Sequence, residues 1–122
     1  MKILCLGDSL TETYAIDSKR GWVNLLNNQD KIETINAGIC GDTTTGMLAR
    51  CEKLVTKHKP SHIIILGGTN DLWYGLKDEF IISNIQAMSR HAMHYSVEVF
   101  IGLPTISYNL NELNFVQFFQ VA

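Results

Sequence analysis

Apolar residues fall into two kinds of run along this chain: short ones suited to strands and longer ones at helical spacing. Lys2–Leu6 is a brief apolar run ended by Gly7-Asp8, which predicts a buried strand. Trp22–Asn28 carries Trp22, Val23, Leu25 and Leu26 and reads as a short amphipathic helix. Ile32–Asn36 alternates apolar with polar positions, as an edge strand does. From Thr45 onward Met47, Leu48, Cys51, Leu54 and Val55 recur at helical spacing, and Pro60 stops that helix. His62–Leu66, with three consecutive isoleucines, is the clearest buried strand. Asp78 opens a helix with Ile81, Ile85, Met88 and Ala92 on one face, and Val97–Leu103 forms a fourth strand closed by Pro104. Strands alternating with helices predict an α/β fold in three αβα layers, with a parallel sheet of four strands in flavodoxin-like order. A fifth strand and a final helix, which would complete such a sheet, are missing from the pattern.

Residues 105–122 break the alternation. Ser107–Ala122 holds one charged residue, Glu112, and a crowded Phe115, Phe118 and Phe119 that fit neither period. This atypical tail is expected to form an isolated helix starting near Asn109, at the end of one domain spanning residues 1–122.

Composition narrows the function classes. With 46% hydrophobic and 18% charged residues the chain is neither disordered nor built for a bilayer. No run approaches the roughly 20 apolar residues of a membrane span, and Ile3–Leu6 is too short for a secretory signal. A cytoplasmic protein is the expectation. A formal charge of -2 offers no basic field, so nucleic acid is not an expected partner. Lys53, Lys57 and Lys59 read as a solvated helix end. Cys5, Cys40 and Cys51 have neither C-x-x-C spacing nor a histidine at ligand distance, which argues against zinc and against a disulfide framework. Cys5 and Cys51 read as buried free thiols, while Cys40, beside Gly41, is open to lining a site.

Three polar turns follow three consecutive strands, at the end of a parallel sheet where ligands bind. Gly7-Asp8-Ser9-Leu10 would hold the Ser9 hydroxyl above the sheet; its plainer reading is a helix N-cap. In Asn36-Ala37-Gly38-Ile39-Cys40-Gly41-Asp42 the glycines permit close backbone approach and Gly41 offers an N–H, or the segment is an ordinary turn capped by Asp42 or Thr43. In Gly67-Gly68-Thr69-Asn70-Asp71 the Asn70 amide is a neutral donor, or an Asx-turn, with Asp71 a local cap. Taken together the turns supply a nucleophile, Ser9, and three oxyanion donors: the N–H groups of Ser9 and Gly41 and the Asn70 amide. Acyl transfer needs that set, because negative charge develops on the carbonyl oxygen. Asp8 and Asp71 would support the site.

Three ordered blocks, G-D-S-L at Gly7–Leu10, N-A-x-x-x-G-D-T at Asn36–Thr43 and G-x-N-D at Gly68–Asp71, resemble the SGNH (GDSL-type) hydrolase family. Gly21-Trp22 followed by Leu25-Leu26 is similar to that family's first helix, and the likeness runs from Met1 to about Pro104. The resemblance implies an ester hydrolase, an esterase, lipase or acyl-thioesterase, acting on a small-molecule acyl ester. Ser9 is then the nucleophile, Ser9, Gly41 and Asn70 form the oxyanion hole, and neither metal nor cofactor takes part.

The family's fourth block, a D-x-x-H that supplies the general base, has no counterpart after Asp78, the last aspartate. His58, His62, His91 and His94 fall at helix ends or a strand start, and so at the edge opposite Ser9; the base is unassigned. Two readings follow: a C-terminally truncated or frameshifted product of an SGNH enzyme, or a homologue that binds a small molecule without turnover. Nucleotide binding has less support, since neither G-x-G-x-x-G nor a P-loop is present. An open apolar edge at Val97–Leu103, or the Phe-rich tail, predicts a homo-oligomer.

Overall fold

The structure, a computed structural model, describes residues 1–104. Four segments, Lys2–Gly7 (β1), Glu33–Gly38 (β2), His62–Leu66 (β3) and Glu98–Ile101 (β4), pair in parallel as one sheet of order β2-β1-β3-β4. This is the flavodoxin-like order expected of the alternating pattern. The register matters more than the order: Gly7 lies opposite Gly38 on one side and opposite Leu66 on the other. Three strands therefore end on one line, and the three polar turns leave the sheet side by side.

The helices in chain order are Ser9–Glu12 (α1), Trp22–Asn27 (α2), Thr44–His58 (α3), Thr69–Trp73 (α4) and Asp78–His94 (α5), with a 3₁₀ turn at Ser18–Arg20. Thr43 caps α3 by accepting the Gly46 N–H at 3.3 Å, and Lys59 closes it in the left-handed region just before Pro60. Strand pleating sorts the core. Leu4, Leu6, Ile63 and Ile65 point to one face and are fully buried beneath Met47, Cys51 and Val55 of α3 and Ile81, Ile85 and Met88 of α5. Ile3 and Cys5 point to the other face, packing with Val23, Trp22 and Leu26 of α2. Burial pushes the Cys5 thiol up to about 12 and the Cys51 thiol up to about 11, so both stay protonated and inert, as free thiols of a core should. Lys53, Lys57 and Lys59 are exposed, as a solvated helix end requires.

Two expectations need correction. The strand expected over Val97–Leu103 is shorter: the buried Val97 gives its N–H to Ala92 O at 3.0 Å, finishing α5 instead of joining the ladder. After Ile101 one further bond, Gly102 N to Ile65 O at 2.8 Å, ends the pairing before Pro104. The triple isoleucine is also not buried on both sides. Helices α1 and α2 cover β1 and β2, while on that face Ile64 is half-buried and Phe100 is 54% exposed, stacked on His62 with ring centroids 6.0 Å apart. The second helical layer thus covers half a face among the described residues. The helix expected near Asn109 lies outside them.

Candidate active site

Each polar turn is shaped so that some backbone donors are consumed and others are left facing outward. After β1 the Asp8 carboxyl caps α1, accepting the Leu10 N–H at 3.0 Å, and Ser9 becomes the first helical residue. Asp8 O accepts from Thr11 and Glu12 at 3.1 and 2.9 Å. Nothing among the described residues accepts the Ser9 N–H. Asp8 is nearly fully buried. Desolvation pushes its carboxyl up, the Leu10 N–H pulls it down, and repulsion from Asp42 and Asp71 adds to the rise. Gly7 has no room for a side chain, because a Cβ there would meet Thr11 Oγ1 and the Leu66 carbonyl.

The second turn binds itself to the first. Ile39 N donates to Gly7 O at 3.1 Å, Cys40 N to Glu12 Oε2 at 2.7 Å, and Asp42 N to Ile39 O at 3.1 Å. Gly41 is the member whose N–H has no acceptor among the described residues. The two glycines here do different work. At Gly38 a Cβ would run into backbone atoms of Thr11, Glu12 and Asp8, so its absence lets α1 lie against β2. Gly41 has open space around it but sits at φ +78°, in the left-handed region that favours glycine. Close approach, expected of both, holds only for Gly38.

At the third turn Gly68, with φ 115°, leads into α4. Asn70 Nδ2 donates one hydrogen to Asp42 O at 2.8 Å, and a primary amide has a second to give. Asp71 is no local cap. Its carboxyl reaches across to α3, accepting Thr44 N at 2.9 and 3.2 Å and Thr44 Oγ1 at 2.6 Å, with both residues fully buried. Asn84 of α5 completes the cluster by donating to Thr44 Oγ1 at 3.0 Å.

Ser9, Gly41 and Asn70 are thus brought to one edge, with Asp8 and Asp71 buried below them. The histidines are not. His58 ends α3, His62 opens β3, and His91 and His94 lie in the last turn of α5. Their neighbours, Ser61 and Glu98 for His62, Glu52 for His91 and Tyr95 for His94, sit at the opposite edge too. No histidine among the described residues is placed to take a proton from Ser9. Cys40 is exposed beside the site, with its N–H committed to Glu12.

Sequence reading passed over Arg50. Its guanidinium bonds Asp42 through Nε at 3.0 Å and Nη2 at 2.9 Å, Ala37 O through Nη1 at 2.6 Å, and Gly7 O through Nη2 at 2.9 Å. The available signal was spacing: Asp42, just before the α3 cap, is followed at intervals of four by Gly46 and Arg50 within the helix, and a side chain at Gly46 would strike the Asp42 carboxyl.

Residues 5–116 match the family model described as GDSL-like lipase/acylhydrolase. An arylesterase of Vibrio mimicus is 38% identical over 93 residues, covering 71% of this chain and 46% of that protein. Among solved structures, a member of the lipolytic G-D-S-L family from Veillonella parvula superposes with TM-score 0.88 at 25% identity, covering 99% of this chain and 71% of the other. The psychrotrophic esterase EstA of Pseudoalteromonas, inhibited by monoethylphosphonate, superposes with TM-score 0.81 at 31% identity over 88% of this chain and 62% of its own. This chain spans about half the length of the curated relatives it matches, 46% for the arylesterase and 47% for a Pseudomonas aeruginosa esterase.

Proposed function

The chain belongs to the GDSL-like lipase/acylhydrolase family, and on that footing we propose that it cleaves small carboxylic esters or thioesters through Ser9. Ser9 Oγ attacks the acyl carbon and yields its proton to water, and the carbonyl oxygen takes up negative charge between the Ser9 N–H, the Gly41 N–H and the Asn70 amide. The alcohol or thiol then departs with a proton from water, and a second water cleaves the acyl group from Ser9 as the acid and restores the Ser9 hydroxyl. The observation that carries this reading is the set of uncommitted donors in the turns just beyond the line on which three strands end: two backbone N–H groups and the second Asn70 hydrogen. Exposed apolar side chains on the same three turns and just beyond them, Leu10, Ile39, Trp73 and Tyr74, suit an acyl or aryl group. No helix among the described residues is long and apolar enough to cross a membrane; the cytoplasmic location stays a proposal.

No histidine among the described residues lies near Ser9, and from these residues oxyanion stabilisation and binding supply the rate in this reading. Those two alone leave roughly 10³–10⁴-fold over water when a triad member is lost. The test is covalent. An activated ethylphosphonate ester should add one phosphonyl group to the protein, mapped by peptide mass to Ser9 and absent from Ser9→Ala. A protein that stays unmodified at Ser9 under prolonged exposure is a binding module instead, the reading that the remote histidines favour.

Self-association belongs to the same proposal. β4 is the outer strand of the described sheet, and Phe100 stands exposed on it. Light scattering should give a dimer or larger species, and Phe100→Lys should shift it to a monomer. A monomeric wild-type protein at assay concentrations refutes the edge as an interface.

A further inference from the structure

Arg50 is the side chain that ties the nucleophile turn to the oxyanion turn. Its guanidinium accepts nothing and holds two backbone carbonyls and one carboxyl at once. Gly7 O belongs to the peptide that leads into Asp8-Ser9, Ala37 O to the end of β2, and the Asp42 carboxyl to the residue after Gly41. The third turn joins through the same residue, because Asn70 Nδ2 bonds Asp42 O. Asp42 is therefore gripped from both sides, its carboxyl by Arg50 and its carbonyl by Asn70.

Beyond these bonds the turn is held by the Ile39, Cys40 and Asp42 N–H groups, which donate to Gly7 O, Glu12 Oε2 and Ile39 O, and packing adds little. Gly41 and Cys40 are exposed, and nothing lies within 4 Å of where a Gly41 Cβ would be. Packing does not locate the Gly41 N–H; hydrogen bonds to its neighbours do. Charge points the same way. Asp42 and Asp71 at this edge of the sheet both repel Asp8, and Arg50 is the cation bonded there among the described residues. Its side chain is 21% exposed and that of Asp42 14%, so solvent screens this pair only in part.

We infer that Arg50 is a positioning residue, one that sets the distance from the Ser9 hydroxyl to the Gly41 N–H and the Asn70 amide. The inference rests on the proposed roles of those three residues. A lysine cannot do the same work. Its ammonium is a point donor on a flexible stem, whereas the planar fork reaches two carbonyls and a carboxyl in fixed directions.

The experiment compares wild type, Arg50→Ala, Arg50→Lys and Asp42→Asn by p-nitrophenyl acetate kinetics and by the rate of ethylphosphonate addition to Ser9, with thermal melts in parallel. Misplacing reacting groups by about 1 Å costs on the order of a hundredfold. The expected result is a loss of that size in kcat for Arg50→Ala, with KM little changed. Arg50→Lys should not restore the rate. Guanidinium ion at tens of millimolar, far below denaturing levels, should restore part of it in Arg50→Ala and none in Arg50→Lys. Asp42→Asn keeps the volume and tests the other half of the pair; it should slow Ser9 addition while remaining folded. If wild type never adds phosphonate, the reading of Ser9 fails and this inference with it. If wild type adds it and the folded Arg50 and Asp42 variants match its rate, the inference alone fails. Losses that only follow the unfolded fraction and ignore guanidinium reduce Arg50 to a helix-to-sheet brace, which also overturns it.

Discussion

Asn70→Ala should lower kcat for ester hydrolysis by about 10²–10³-fold, the equivalent of roughly 2.7–4 kcal/mol. The size follows from the role proposed for the donor. In the proposed reaction Asn70 meets the charge that develops on the oxyanion, and loss of one such donor acts on the transition state directly. The Asn70 amide is fixed by its bond to Asp42 O, which leaves the second N–H in a set direction without reorganisation at the moment of reaction. KM should change little, because the ground-state carbonyl gains less from that donor than the oxyanion does. The fold should survive: the lost bond is part-buried and worth about 0.5–1.5 kcal/mol. Asn70→Asp should be at least as slow, since a carboxylate repels the oxyanion. Steady-state kinetics with a melting curve for each variant decides it. An Asn70→Ala protein that is folded and as fast as wild type would remove Asn70 from the oxyanion hole.

Asp71→Ala should act on stability, at about 3–5 kcal/mol. Two losses add up to that cost. Asp71 and Thr44 are fully buried, and the Asp71 carboxyl accepts both the N–H and the hydroxyl of Thr44. Deleting it strands two donors at about 1–3 kcal/mol each. It also leaves a small void where β3's exit, α3 and α5 meet. Against a typical total of roughly 5–15 kcal/mol that is a large share. The urea midpoint should fall accordingly, with the slope unchanged. Asp71→Asn retains one acceptor oxygen and should cost less than the alanine variant. A loss under about 1 kcal/mol would mean that water takes over the stranded donors.

What the sequence disclosed and what it withheld divide along a physical line. The four strands and the helices α3 and α5 were legible because burial on one face imposes a period, and Gly, Asp or Pro marks where each run stops. Helices α1 and α4 were not, since four or five residues make barely one turn and have no period to display. They read as turns. Ser9, Gly41 and Asn70 could be put at one edge because each lies within four residues of a strand's end, and strand order fixes which ends adjoin. Arg50 and the Thr44–Asp71 cluster could not. Their partners are carbonyls and N–H groups that every residue owns, met across separations of 43 and 27 residues. A pattern of side chains says nothing about such bonds. The half-covered face was hidden for a related reason. Three isoleucines in a row look the same whether one helical layer covers the strand or two.

The shared end line of β1, β2 and β3 makes the molecule unequally tolerant of changes in chain length. Deleting one residue inside β2 would draw the Gly41 turn back by about 3.3 Å and turn the strand's side chains to the wrong face. Either displacement undoes a site whose parts must agree to fractions of an ångström. At the other edge the connections at Lys59–Pro60 and Tyr95–Ser96 only return the chain to the next strand. Extra residues there would cost little closure entropy and leave the three turns aligned. Evolution or an engineer seeking to lengthen this protein has one rim of the sheet to work on.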